Sequence, residues 1–129
     1  MKYTKGYKYQ LREDIEIKTN IHPEHICVGD LALLRPDGTI KIFKYFAWDG
    51  CSGPTIDDRT NMRAGLVHDA LYYLIRTGAL DKSFKRKADN ELYRLMIEDG
   101  ASRLRARLYR WAVTKFGNGA INPRKLYDA

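Results

Sequence analysis

Ala64-Gly65-Leu66-Val67-His68-Asp69-Ala70-Leu71-Tyr72-Tyr73-Leu74-Ile75 is the stretch on which the fold turns. At about 100° per residue, Leu66, Val67, Ala70, Leu71, Leu74 and Ile75 fill one arc roughly 180° wide. That spacing predicts an amphipathic helix with its aliphatic side against a core. His68, Asp69 and Tyr72 fall on the remaining arc, with Gly65 between His68 and Asp69 one turn earlier. A glycine at that point bares the backbone for close approach by another group. An adjacent histidine and aspartate on such a face are either a solvated patch or a working site, and the rest of the chain decides between them.

The helix around this stretch is expected from about Thr60 to Thr77, stopping at Gly78. Asp81-Lys82-Ser83 opens a second helix that ends at Gly100, with Phe84, Ala88, Leu92, Leu95 and Met96 as its apolar stripe. Ser102 caps a third, ending at Gly117, with Leu104, Leu108, Trp111, Ala112 and Phe116 as the stripe. Arg103, Arg105, Arg107 and Arg110 decorate that helix, and Asn118 to Ala129 reads as irregular.

Upstream the period changes to two. Tyr7, Tyr9 and Leu11 alternate with polar residues, as do Ile15 and Ile17, while Arg12-Glu13-Asp14 breaks the register between them. Two short strands or one bulged strand fit that pattern. His22-Pro23-Glu24-His25 is a turn or loop. Leu31 to Arg35 and Thr39 to Phe43 flank Pro36-Asp37-Gly38, a hairpin with Asp-Gly at its turn. Phe43 to Trp48 extends as a strand, and Asp49 to Arg59 is a loop. The expected fold is α+β: a small N-terminal antiparallel sheet followed by a three-helix unit, with residues 1–129 as a single domain.

Composition narrows the classes. No apolar run approaches the roughly 18–20 residues that span a bilayer, so no transmembrane segment is expected. Met1-Lys2-Tyr3-Thr4-Lys5-Gly6 leads into no apolar signal core, which places synthesis and first residence in a cytosol. Cys27 and Cys51 imply no disulfide framework, and the lack of a Cys-x-x-Cys pair argues against a zinc ribbon. The net charge of +7 is uneven: residues 1–79 carry 11 Lys/Arg against 10 Asp/Glu, residues 80–129 carry 12 against 6. The basic C-terminal part would suit nucleic acid, an anionic lipid surface or an acidic partner, and plain solubility accounts for it equally well. With Trp111 and Phe116 read as core and the arginines as solvated, nucleic acid is not an expected partner.

A short link at Gly78 to Leu80 makes the first two helices an antiparallel hairpin, and folding it about its midpoint brings Asp89 within reach of an imidazole nitrogen of His68. Tyr72 or Tyr93 would hydrogen-bond the same carboxylate. A buried carboxylate that fixes a histidine tautomer holds a water-activating base; the same contact also serves as a polar tie between helices. Asp69 points elsewhere, and the backbone carbonyls of the Gly50 to Gly53 loop could share a hard cation such as Ca2+ with it. Asp49, Asp57 and Asp58 offer further carboxylates, although Asp57, Asp58 or Thr60 would serve equally as a helix cap.

Two resemblances follow from these residues. Phe46-Ala47-Trp48-Asp49-Gly50-Cys51-Ser52-Gly53-Pro54, then His68-Asp69-Ala70-Leu71-Tyr72, Ala88-Asp89 and Ala112-Val113-Thr114-Lys115-Phe116-Gly117 resemble, in order, the pattern of a phage and prophage family catalogued as domain of unknown function 1353. Ala47 stands where that pattern more often has a valine-like residue. The likeness implies a phage context and no particular activity. More locally, the Gly50 to Gly53 loop, His68-Asp69-Ala70-Leu71-Tyr72 and Asp89 resemble the glycine-rich calcium loop, His-Asp-x-x-Tyr helix and antiparallel Asp helix of secreted and parvoviral phospholipases A2. That likeness implies that His68 activates water, Asp89 orients His68 and Asp69 binds calcium; Tyr72 beside the pair, and Asp49, Gly50 and Ser52 beside the cation, are the further candidate site residues, with Ser52 also read as a brace of its loop. This chain departs from it in lacking the Tyr-x-Gly-x-Gly run and the cysteine framework, and in carrying an N-terminal sheet.

Three other patterns carry less. His22-x-x-His25-x-Cys27 puts three metal-ligand types on one proline-containing loop without a distant partner pair. His22 or His25 with His68, Asp69 and Asp89 spells the order of His-Asp phosphohydrolases, which are all-helical where this histidine lies between strands. Ser52 as a nucleophile lacks the Gly-x-Ser-x-Gly turn. The expectation is a phage hydrolase acting on phospholipid or another part of the host cell envelope as the phage enters or lyses the cell. It is made in the host cytoplasm and is envelope-directed or virion-associated. The alternative is a non-enzymatic accessory protein, with phage virion components as partners and a structural His68–Asp69–Asp89 cluster.

Overall fold

The structure, a computed structural model, describes residues 1–4, 9–48 and 58–122. Among the described residues, alternation in the N-terminal part produces seven short strands: β1 (Tyr3–Thr4), β2 (Tyr9–Leu11), β3 (Ile15–Lys18), β4 (Cys27–Val28), β5 (Ala32–Leu34), β6 (Thr39–Ile42) and β7 (Ala47–Trp48). They form two antiparallel sheets, ordered β1-β2-β7 and β3-β6-β5-β4, rather than one. In the larger, Ile15 faces Ile42 and Ile17 faces Ile40, while Leu34 faces Ile40 from the other side. Ile17, Ala32, Leu34, Ile40 and Ile42 are buried, which fixes the register, because a slip of one residue would turn this set to solvent.

The β5–β6 hairpin turns where Asp-Gly predicts. Gly38 has φ 94°, a conformation that favours glycine, and the Asp37 carboxylate accepts from the Thr39 N–H at 2.8 Å. The strand expected from Phe43 to Trp48 is broken. Tyr45 has φ 81°, and its N–H bonds the Leu11 carbonyl at 3.0 Å. The chain therefore leaves the larger sheet after Ile42 and joins the smaller at Ala47.

The helices are α1 (Met62–Arg76), α2 (Lys85–Glu98), α3 (Arg103–Phe116) and a single turn, α4 (Asn118–Ile121), with a 3-10 turn at Lys82–Phe84. Their ends follow local chemistry. The Asp81 carboxylate accepts from Ser83 N–H, the Ser102 hydroxyl accepts from Arg105 N–H, and Gly78 (φ 85°) and Gly100 (φ 99°) stop α1 and α2 in the left-handed region. Gly117 stays right-handed (φ −81°), so the chain continues into α4 where an irregular tail was expected.

Helix α1 is the core element. Leu66, Val67, Ala70, Leu71 and Leu74 are fully buried, and each Leu→Ala change there would cost about 2–5 kcal/mol. It packs on α2, α4, β5 and β7. Side-chain ties reinforce this arrangement. Arg63 reaches Asp99 and Glu98 at the end of α2, Arg94 clamps the buried Glu91 and donates to the Lys18 carbonyl of β3, and Arg105 of α3 reaches Asp58 at 2.7 Å.

Helix α3 is rotated relative to the expected stripe. Its buried residues are Ala106, Tyr109 and Val113, whereas Leu104, Leu108, Trp111 and Phe116 are exposed. Among the described residues, no helix is long and apolar enough to cross a membrane.

Candidate functional site: a buried histidine–aspartate pair

The helix hairpin brings His68 of α1 and Asp89 of α2 into contact, as the spacing predicts: His68 Nε2 lies 2.8 Å from Asp89 Oδ1. The arc that carries His68 and Tyr72 is not a wet face. His68 is 3% exposed, Asp89 1% and Tyr72 4%, because α2 packs along that side of α1. The Tyr72 hydroxyl donates to Asp89 Oδ1, and its ring lies 4.1 Å, centroid to centroid, from the imidazole. Tyr93, the other candidate donor, instead has Arg110 stacked 4.3 Å over its ring.

Two further groups complete the carboxylate's surroundings, and the sequence reading missed both. Lys85 Nζ donates to Asp89 Oδ2 at 2.9 Å and to the Val113 carbonyl at 3.1 Å. Thr114 Oγ1 reaches the same Oδ2 at 3.3 Å. Lys85 stands four residues before Asp89, a spacing that places a cation and a carboxylate on one helix face. That signal was in the chain. Nothing in it pointed to Thr114, which arrives only through the packing of α3.

The charge state follows from these contacts. Burial works against an ionised Asp89, but hydrogen bonds from His68, Tyr72 and Lys85 outweigh it and hold the carboxyl below its usual range. Burial likewise disfavours a charged imidazole, and it prevails over the attraction of Asp89, so His68 is held neutral, below 6.5. Burial and then the bond to Asp89 push the Tyr72 phenol up, which keeps it a donor. An ionised Asp89 only accepts, so Nε2 of the neutral imidazole carries the proton and Nδ1 bears the lone pair. Asp69 Oδ1 stands 4.0 Å from Nδ1. The arrangement is thus an oriented neutral base whose free nitrogen faces the neighbourhood of a second carboxylate.

The expected metal ligands are only partly in view. Asp69 is a half-buried oxygen donor on α1, of the type calcium takes. Asp49, Gly50 and Ser52, with Cys51, Gly53 and Asp57, lie outside the described residues. Asp58 is engaged as a local brace: it accepts from Thr60 N–H and Oγ and from Arg105, and the two side-chain bonds hold its carboxyl down at about 2. Among the described residues, no group of three or more His, Cys, Asp or Glu could hold a metal ion. His22 Nδ1 lies 3.0 Å from the Pro36 carbonyl and the Cys27 thiol donates to the His25 carbonyl, so each serves the loop. A 320 Å³ cleft beside Tyr3, Met62 and Arg63 is lined by none of His68, Asp69 and Asp89.

No family model matches this chain, and neither does any curated protein or solved structure.

Proposed function

We propose that the chain is a phage-encoded hydrolase acting on the host envelope, most like a calcium-assisted phospholipase A2. The observation that carries this reading is His68, neutral and held through Nε2 by Asp89 at 2.8 Å, with Nδ1 free to take a proton. In the proposed step, Nδ1 accepts a proton from water as the water oxygen bonds to an ester carbonyl carbon. The imidazolium then returns that proton to the departing alkoxide, leaving a fatty acid and a lysolipid. Asp89 is a positioning residue that fixes the tautomer, and Tyr72 steadies Asp89. Asp69, with Asp49, Gly50 and Ser52, would hold the calcium, whose charge would favour the ester oxyanion. The phage context is supported by the ordered likeness from Phe46 to Gly117. The protein would be made in the host cytoplasm and directed to the envelope or the virion.

A second reading has its own support. Lys85 neutralises Asp89 and ties it to Val113 and Thr114, so the same cluster joins α1, α2 and α3 as a polar knot. A non-enzymatic phage accessory or virion protein would need no more than that. Fatty-acid release from mixed phospholipid vesicles, with calcium and with chelator, separates the two. The hydrolase reading expects calcium-dependent release that His68→Gln abolishes. No release from the folded wild-type protein overturns it and leaves the knot.

A further inference from the structure

Helix α3 presents two apolar faces, and one is left outside. Ala106, Tyr109 and Val113 pack inward. On the opposite side, Leu104 (79% exposed), Leu108 and Trp111 (54%) follow at spacings of four and three residues and form one stripe about 10 Å long. Phe116 (70% exposed) extends it, its ring edge-on to Trp111 at 5.8 Å. Cations border the stripe. Arg103 and Arg107 run beside Leu104 and Leu108, and Lys115 sits 5.8 Å over the Trp111 ring. None of the three pairs with a carboxylate among the described residues, unlike Arg63, Arg94 and Arg105, each of which holds one.

We propose that this outer face of α3 docks the protein on an anionic lipid bilayer. Aliphatic and indole groups between unpaired cations are what an interfacial helix uses: the apolar side chains enter the headgroup boundary while arginine and lysine meet lipid phosphates. A nucleic-acid backbone would satisfy the cations but has no use for Leu104 and Leu108. A second copy packing face to face would bring Arg103, Arg107 and Lys115 near their own equivalents and be repelled. The docking face stands without the hydrolase reading, since nothing in it involves His68.

The test is co-sedimentation of the full chain with phosphatidylcholine vesicles, with and without phosphatidylglycerol. Binding is expected only with the anionic lipid and should weaken as salt is raised. Arg103→Gln with Arg107→Gln should lower the partition coefficient roughly fivefold per residue. Leu108→Gln with Trp111→Gln should lower it at least about tenfold. Because these side chains face solvent, the variants should retain the wild-type circular dichroism and urea midpoint. Independently of either variant, wild-type tryptophan emission should shift to the blue on anionic vesicles, and Trp111→Phe, which retains the buried Trp48, should not show the shift. Binding indifferent to phosphatidylglycerol overturns the proposal, as does binding that neither double variant weakens. A concentration-dependent dimer that Leu108→Gln dissociates, with no vesicle binding, assigns the face to a second copy instead.

Discussion

Lys85 Nζ lies 2.9 Å from Asp89 Oδ2, so the carboxylate that orients His68 is itself held by a cation one turn earlier on the same helix. The pair makes an ionised Asp89 tolerable in the interior, and it also weakens the pull of that carboxylate on a proton at His68. Lys85→Met should therefore raise the pKa of His68 and that of Asp89, and should destabilise the fold by about 2–3 kcal/mol as a charged hydrogen bond is lost. Titration of the His68 ring by NMR, together with urea unfolding, checks both parts. An unchanged His68 titration would show that Lys85 does not reach it electrostatically.

The Tyr72 hydroxyl donates to the other oxygen of the same carboxylate. Tyr72→Phe leaves Lys85, His68 and Thr114 on Asp89 and preserves the ring packing. The expected loss is about 1 kcal/mol, smaller than for Lys85→Met. If the two variants proved equal in urea unfolding, the cation would carry no special weight in the cluster.

Gly117 has an ordinary φ of −81°, so its importance is one of space. A Cβ there would stand 2.7 Å from the Tyr72 hydroxyl and 2.4 Å from the Val113 carbonyl. Gly117→Ala should therefore displace Tyr72 or the end of α3 and cost about 1–3 kcal/mol. Combined with Tyr72→Phe, the penalty should be less than additive, because the hydroxyl it meets is gone. Gly78→Ala, where a Cβ meets nothing, is the contrast: its cost comes from φ 85° alone and should be insensitive to Tyr72.

Acid should weaken the fold in two stages. The folded chain resists protonation of His68, whose pKa burial holds below 6.5, while the unfolded chain takes the proton at its ordinary value. Above pH 6.5 both states are neutral there and the full stability is present; as pH falls below it, the unfolded state binds the extra proton and stability declines. Asp89, whose folded pKa is depressed, contributes above 3.8 and its share is lost only at more acid pH. Urea midpoints measured on either side of pH 6.5 should show the first slope in the wild type and lose it in His68→Gln.

The amino-acid sequence by itself determined the local features. Gly78 and Gly100 ended two helices and Ser102 opened a third, because a left-handed residue or a side-chain cap acts within a few residues of chain. The same holds for the Asp37-Gly38 turn and, once α1 and α2 pair as an antiparallel hairpin, for the reach of Asp89 to His68. The smaller sheet, the break at Tyr45 and the inward face of α3 were decided only by tertiary packing. Helix α3 has an apolar set on each side, and a period of 3.6 residues says which side chains share a face, not which face turns inward. Tyr109 reaches Asn61, and the Val113 carbonyl accepts from Lys85 beside Asp89. Those contacts bind the Ala106–Tyr109–Val113 side to the core and leave Leu104, Leu108 and Trp111 at the surface, because a buried carboxylate and its half-buried cation must find partners whereas exposed leucines carry no such demand.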